Sequence, residues 1–212
     1  MNQLKIAPSI LSKLNELDET ITILNSLPIE AIHMDVMDGK FVKNKTFDYT
    51  LIERIKTPKI IDTHLMIEKP LDVIDRYLAC SDIVTFHLEA VNGDELSAFL
   101  KNKPSNKKIG LSIKPQTDVL DLVPYLNSID LVLVMTVEPG QGGQAFMMDM
   151  LSKIKFLSDY KAKNNLDYLI EVDGGINSEN VQLLKANGAE MIVVGTFFFK
   201  NDNYLLTIDS LR

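Results

Sequence analysis

Two histidines and two aspartates are spaced so that the chain could gather them around one divalent cation: His33, Asp35, His64 and Asp173. His33 and Asp35 stand two apart in Ile32-His33-Met34-Asp35-Val36-Met37-Asp38-Gly39, so on a strand both point to the same face. An imidazole and a carboxylate on a buried face need each other or a metal, because burying either without a partner is costly. His64 ends an apolar run that begins at Lys59, and Asp173 ends Tyr168-Leu169-Ile170-Glu171-Val172-Asp173, just before Gly174-Gly175. Two nitrogen and two carboxylate ligands suit zinc, iron, manganese or cobalt, and with positions left open they suit a catalytic ion better than a structural one. Singly, each residue reads more simply as a satisfied core histidine or a turn aspartate. Their joint placement at three strand ends is what points to a site. His87 also ends a strand-like run, and we expect it to hydrogen-bond within the same mouth and not to serve as a ligand.

Three glycine elements suggest a second kind of chemistry. They are Gly140-Gln141-Gly142-Gly143, Gly174-Gly175 and Gly195-Thr196. Glycine lets the backbone approach an anion closely and aim several N–H groups at it. Turn geometry explains any one of them, but three after successive strands imply a phosphate site. Neither a Walker A sequence nor a dinucleotide-binding glycine fingerprint occurs.

These residues need a scaffold, and the chain alternates short apolar runs with helix-period segments. Strands are expected over 4–8, 31–35, 59–65, 83–87, 108–113, 131–136, 168–172 and 191–194. Helices are expected over 15–27, 49–55, 70–79, 94–101, 117–126, 147–165, 178–186 and 204–211. Strands that are apolar throughout and separated by helices imply a parallel sheet covered on its outer face. Eight such units predict a single (β/α)8 TIM barrel over residues 1–212, with a doubly wound open sheet as the alternative. In a barrel, catalytic groups sit at the C-terminal ends of strands, and phosphate is often held by the loops after the seventh and eighth. The four polar residues, the glycines and Ser9 all fall at those positions.

Bulk properties narrow the class. The 212 residues are 46% hydrophobic and 24% charged, a globular balance, with a formal net charge of −7 that argues against nucleic-acid binding. No apolar run is long enough to span a membrane, and no signal peptide is evident. The one cysteine, Cys80, rules out an intrachain disulfide, fits a reducing cytoplasmic setting and reads as a small apolar filler.

The chain resembles the ribulose-phosphate 3-epimerase family nearly end to end. The resemblance rests on Ile6-Ala7-Pro8-Ser9-Ile10-Leu11-Ser12, 33–39, 64–66, Thr85-Phe86-His87 with Glu89-Ala90, 134–143, 171–176 and Val194-Gly195. It implies one divalent metal ion (zinc, iron, manganese or cobalt) held by His33, Asp35, His64 and Asp173, with Asp35 and Asp173 as the acid/base pair. It also implies Ser9 and His64 as substrate contacts, and Met37, Met66 and Met135 as a thioether pocket floor. Gly140, Gln141, Gly142, Gly143, Gly174, Gly175, Gly195 and Thr196 would form the phosphate cradle. The implied activity is that of an isomerase of the pentose phosphate pathway. D-ribulose 5-phosphate is epimerised at C3 to D-xylulose 5-phosphate through an enediolate, with one carboxylate on each face. A cytoplasmic homo-oligomer acting on a small ketose phosphate is expected.

The chain departs from the family pattern at Lys43, Gln141 and Thr196, where proline, an aromatic and serine are usual. These positions bear on loop behaviour and substrate choice and leave the four polar residues untouched. The same chemistry on a related ketose phosphate such as D-allulose 6-phosphate is the nearest alternative. A non-catalytic sugar-phosphate-binding barrel comes after it. A decarboxylase would want a lysine among the strand-end carboxylates; Lys114 is the only candidate, and the resemblance, which has Lys or Asn there beside Pro115, discounts it.

Overall fold

The computed structural model describes residues 3–212 and contains eight parallel strands in one sheet. They are β1 (Lys5–Pro8), β2 (Ala31–Met37), β3 (Ile60–Met66), β4 (Ile83–His87), β5 (Lys108–Ile113), β6 (Leu131–Met135), β7 (Leu169–Asp173) and β8 (Met191–Val194). The α-helices are α1 (Leu17–Ser26), α2 (Tyr49–Ile52), α3 (Ile74–Cys80), α4 (Gly93–Lys101), α5 (Leu151–Asn164), α6 (Val181–Ala186), α7 (Thr196–Phe199) and α8 (Tyr204–Ser210). The ladder runs β1-β8-β7-β6-β5-β4-β3-β2, and β1 meets β2 through a parallel bridge between Ser9 and His33. The Glu30 N–H also donates to the Ile6 carbonyl at 3.2 Å, and the Ile6 N–H donates to Glu30 Oε2 at 2.8 Å. These contacts bring the sheet round into a (β/α)8 barrel and dispose of the open-sheet alternative.

Strand alternation sorts the side chains into two cores. One set packs outward beneath the helices and includes Ile6, Ile32, Met34, Val84, Phe86, Val132, Val134 and Ile192. The other fills the barrel interior and includes Ala7, Ile83, Leu131, Leu133, Met135, Met191 and Val193. The interior is apolar on the β1, β6 and β8 side. On the β2, β3, β4 and β7 side it carries His33, Asp35, Asp62, His64, Thr85, His87 and Glu171, all buried.

Several bounds differ from expectation. β2 and β3 extend to Met37 and Met66, because the ladder continues through the Val36–Leu65 and Met37–Met66 pairs. The helix expected over 117–126 reduces to a 3-10 turn, Val119–Leu122. Pro124 lies inside that span, lacks an N–H and clashes with the preceding turn. The helix expected over 147–165 begins as a 3-10 turn, Met148–Met150, continues as α5 and stops at Asn165 in the left-handed region (φ 51°).

Candidate active site

Parallel register sets the site. In the β2–β3 ladder His33 pairs with Asp62, Asp35 with His64, and Met37 with Met66. In the β6–β7 ladder Met135 pairs with Asp173. Residues two apart on a strand share a face, so the interior is layered. Asp62, His33 and Glu171 lie lowest, Asp35, His64 and Asp173 above them, and Met37 and Met66 at the mouth.

Asp35 is the hub. Ser9 Oγ donates to Asp35 Oδ2 at 2.6 Å. His33 Nε2 and His64 Nδ1 approach Asp35 Oδ1 at 3.5 and 3.6 Å, and neither nitrogen has a hydrogen-bond partner although both rings are fully buried. Orphaned buried nitrogens of this kind are rare, and they call for an explanation. Ligand atoms each about 2.1 Å from a tetrahedral ion lie roughly 3.4 Å apart, close to these separations. One donor atom each from His33, Asp35, His64 and Asp173 lies within 4.8 Å of the others. The donor set therefore suits one divalent cation.

Outer groups hold the two imidazoles. His33 Nδ1 lies 2.5 Å from Asp62 Oδ2, which turns its Nε2 toward Asp35. His64 Nε2 lies 2.9 Å from His87 Nε2, and His87 Nδ1 lies 3.2 Å from Glu89 Oε2. His87 is thus a hydrogen-bonding neighbour of the cluster, outside the set of converging donors.

Electrostatics divide the carboxylates. Burial opposes ionisation of Asp35, but the charge on His33 and the nearness of both imidazoles outweigh it and hold the carboxyl below its ordinary range. Burial, and then the Asp35 charge, push Asp173 up to about 7. Burial works against a charge on His33, yet Asp62 and Asp35 raise it well above the usual imidazole value. Burial lowers His64, and it lowers His87 to about 4 against the pull of Glu89. Burial, with Asp62 beside it, pushes Glu171 well up.

A cavity of about 290 Å³ opens above this cluster. Of the residues expected at the site, Ser9, Asp35, Met37, Met66, Met135, Gly140, Gln141, Gly142, Gly143, Asp173, Gly174, Gly175, Gly195 and Thr196 all line it. His33 and His64 do not reach the wall; they are enclosed behind Asp35. The glycines meet across the rim. A Cβ on Gly142 or Gly143 would come within 3.8 or 3.7 Å of Thr196 Oγ1, and one on Gly175 would come within 2.6 Å of the Phe146 nitrogen. The loop after β2 folds over the same rim, where Asn44 Nδ2 donates to the Gly140 carbonyl at 2.7 Å and Lys43 remains exposed.

Two buried acids went unremarked in the sequence, Asp62 and Glu171. Each stands two residues before a site residue, His64 or Asp173, and so shares its inward face. The i, i+2 rule that singles out His33 with Asp35 would have found both.

The fold and cluster define a (β/α)8 barrel whose mouth combines a metal-type donor set, paired carboxylates and a glycine-lined cavity. The model of the ribulose-phosphate 3 epimerase family matches residues 5–199. The ribulose-phosphate 3-epimerase of Treponema pallidum is 38% identical over 199 residues, covering 92% of this chain and 90% of that one. The ribulose-phosphate 3-epimerase, cytoplasmic isoform, of Oryza sativa subsp. japonica is 36% identical over 202 residues, covering 92% and 87%. The crystal structure of KGPDC from Streptococcus mutans shares the fold with a TM-score of 0.67 at 11% identity, covering 99% and 96%. The chain belongs to the ribulose-phosphate 3-epimerase family.

Proposed function

We propose that this protein epimerises D-ribulose 5-phosphate at C3 to D-xylulose 5-phosphate, with Asp35 and Asp173 as the proton-transferring pair. One observation carries the reading. Two carboxylates on strands β2 and β7 share one cavity, and their surroundings pull their proton affinities apart, Asp35 down and Asp173 up to about 7. Inverting a carbon beside a carbonyl requires one group to take a proton from one face while another returns one to the opposite face. A divalent cation held by His33, Asp35, His64 and Asp173 would supply Lewis-acid stabilisation of the negative charge that develops on the substrate oxygens.

The rest of the site follows from what this chain provides. Ser9 holds Asp35 in orientation through its hydroxyl. Backbone N–H groups of Gly142, Gly143, Gly175 and Gly195 are the proposed phosphate contacts, because no side chain there bars the approach of an anion. Met37, Met66 and Met135 give the floor an apolar, polarisable surface that keeps water from the reacting carbon. The cytoplasmic setting follows the rice relative's description, and assembly into a homo-oligomer is part of the same proposal, to be checked by light scattering.

A coupled epimerase assay on ribulose 5-phosphate tests the activity as purified, after chelation, and after single metals are restored. Turnover that disappears on chelation and returns with zinc, iron, manganese or cobalt is expected. Turnover indifferent to chelation, with no metal left in the protein, would remove the cation from the account.

A further inference from the structure

His87 and Glu89 form a chain leading away from the cluster, and the direction of its hydrogen bonds can be worked out from its outer end. Glu89 Oε1 accepts the N–H of Lys114 at 2.7 Å and the hydroxyl of Thr117. The carboxylate is therefore anchored as an acceptor to the loop after β5. Its other oxygen, Oε2, faces His87 Nδ1 at 3.2 Å, so that nitrogen must carry the hydrogen. A neutral imidazole with its hydrogen on Nδ1 presents a bare Nε2. His87 Nε2 lies 2.9 Å from His64 Nε2, so the hydrogen between the two rings belongs to His64. A neutral His64 with its hydrogen on Nε2 then presents a bare Nδ1, the atom that lies unpartnered 3.6 Å from Asp35 Oδ1.

We propose that His87 and Glu89 are positioning residues that fix His64 as the tautomer whose Nδ1 lone pair faces the cluster, so that the chain delivers a ready ligand before any cation arrives. The inference rests on the proposed metal role of His64, and it extends to His87, which touches that ring, and to Glu89, which touches His87. Metal-bound histidines are commonly oriented by an acceptor on their second nitrogen, and losing that partner typically costs about 10- to 100-fold in metal affinity. Here the acceptor is another histidine, and the carboxylate stands one ring further out. The aromatic ring of Phe41, from the loop after β2, covers the relay with its centroid 4.7 Å from that of His87.

The test is a long-range proton–nitrogen NMR spectrum of protein labelled with 15N-histidine, recorded metal-free and with zinc. The expected pattern is hydrogen on Nδ1 of His87 and on Nε2 of His64 in both states. Hydrogen on Nε2 of neutral His87 in either state, or on Nδ1 of neutral His64 in the metal-free protein, would overturn the proposal, and the metal-free spectrum reads both even if zinc fails to bind. Competition with a chromophoric chelator supplies the second readout. H87F, which removes the acceptor, should raise the zinc Kd at least tenfold, and H87Q, which restores one, should recover most of that loss. E89A, at an exposed position, should shift His87 toward its other tautomer and weaken zinc binding even if H87F does not fold. Parental zinc affinity in a folded H87F or E89A overturns the relay alone. Absence of zinc binding in the parent overturns the metal role of His64 and leaves the tautomer result to decide the relay.

Discussion

Ser9 and Asp35 are 26 residues apart in sequence and are joined by a buried 2.6 Å hydrogen bond across the closing seam of the barrel. The same serine forms the bridge with His33 that brings β1 against β2, and its hydroxyl accepts the Leu11 N–H at 3.4 Å as the cap of the following turn. One residue therefore takes part in barrel closure through its backbone and orients the carboxylate through its side chain. S9A should lower kcat/KM about tenfold, the loss expected for one hydrogen bond to a charged group. It should also cost about 1 kcal/mol in urea unfolding. A variant that loses stability but keeps parental kcat/KM would show that Asp35 is held without Ser9.

The share of metal-free stability that Asp173 contributes should fall between pH 6 and pH 8. Unfolded Asp173 titrates near about 3.9, whereas in the folded protein burial and Asp35 raise it to about 7. Between those values the folded state keeps a proton that the unfolded state has lost. The contribution is full below the unfolded value and disappears as pH rises through the folded one. His33 and Glu171, both raised, act in the same direction, while His64 and His87, both lowered, act against it as the unfolded imidazoles lose their protons. Asp35 is lowered, so its contribution is lost only at acid pH, outside this window. Thermal melting of chelated parent and D173N at the two pH values isolates this share: the parent should lose more Tm than D173N between pH 6 and pH 8, and an equal or smaller loss would contradict the assignment. Added zinc should stabilise more at pH 8 than at pH 6, because at pH 6 it must displace the proton on Asp173.

The glycine rim should be intolerant at Gly175. Its φ is +66°, and a Cβ would meet the Phe146 nitrogen at 2.6 Å and the Gln144 carbonyl oxygen at 2.8 Å, both backbone atoms. G175A should cost about 1–3 kcal/mol in strain and raise KM for the sugar phosphate by pushing the loops after β6 and β7 apart. Parental KM and parental unfolding midpoint together would show that the rim does not need this close approach.

Much of the site was legible because period-two alternation fixes which side chains share a face. His33 with Asp35 announces an inward pair on any buried strand, and eight apolar runs announce the barrel that collects such pairs at one end. What was not legible depends on contacts between strands. Nothing local in the sequence tells that Asp62 stands beside His33, since that pairing is a matter of β2–β3 register. The enclosure of His64 behind Asp35, away from the cavity wall, likewise depends on three strands at once. The short turn over Val119–Leu122 could have been read, because Pro124 stands inside the span and bars a regular helix.

The central claim is that two carboxylates invert C3 from opposite faces. Running the reaction in deuterium oxide and following C3 by NMR tests it most directly, with the parent, D35N and D173N compared at measured zinc content. The account predicts that xylulose 5-phosphate formed by the parent carries solvent deuterium at C3. It also predicts that both variants form the epimer at least about 100-fold more slowly. The zinc-loaded variant that keeps the carboxylate on the ribulose face should still exchange the C3 hydrogen of recovered ribulose 5-phosphate. Product that retains its original C3 hydrogen, or a near-parental rate in either variant, would contradict the account.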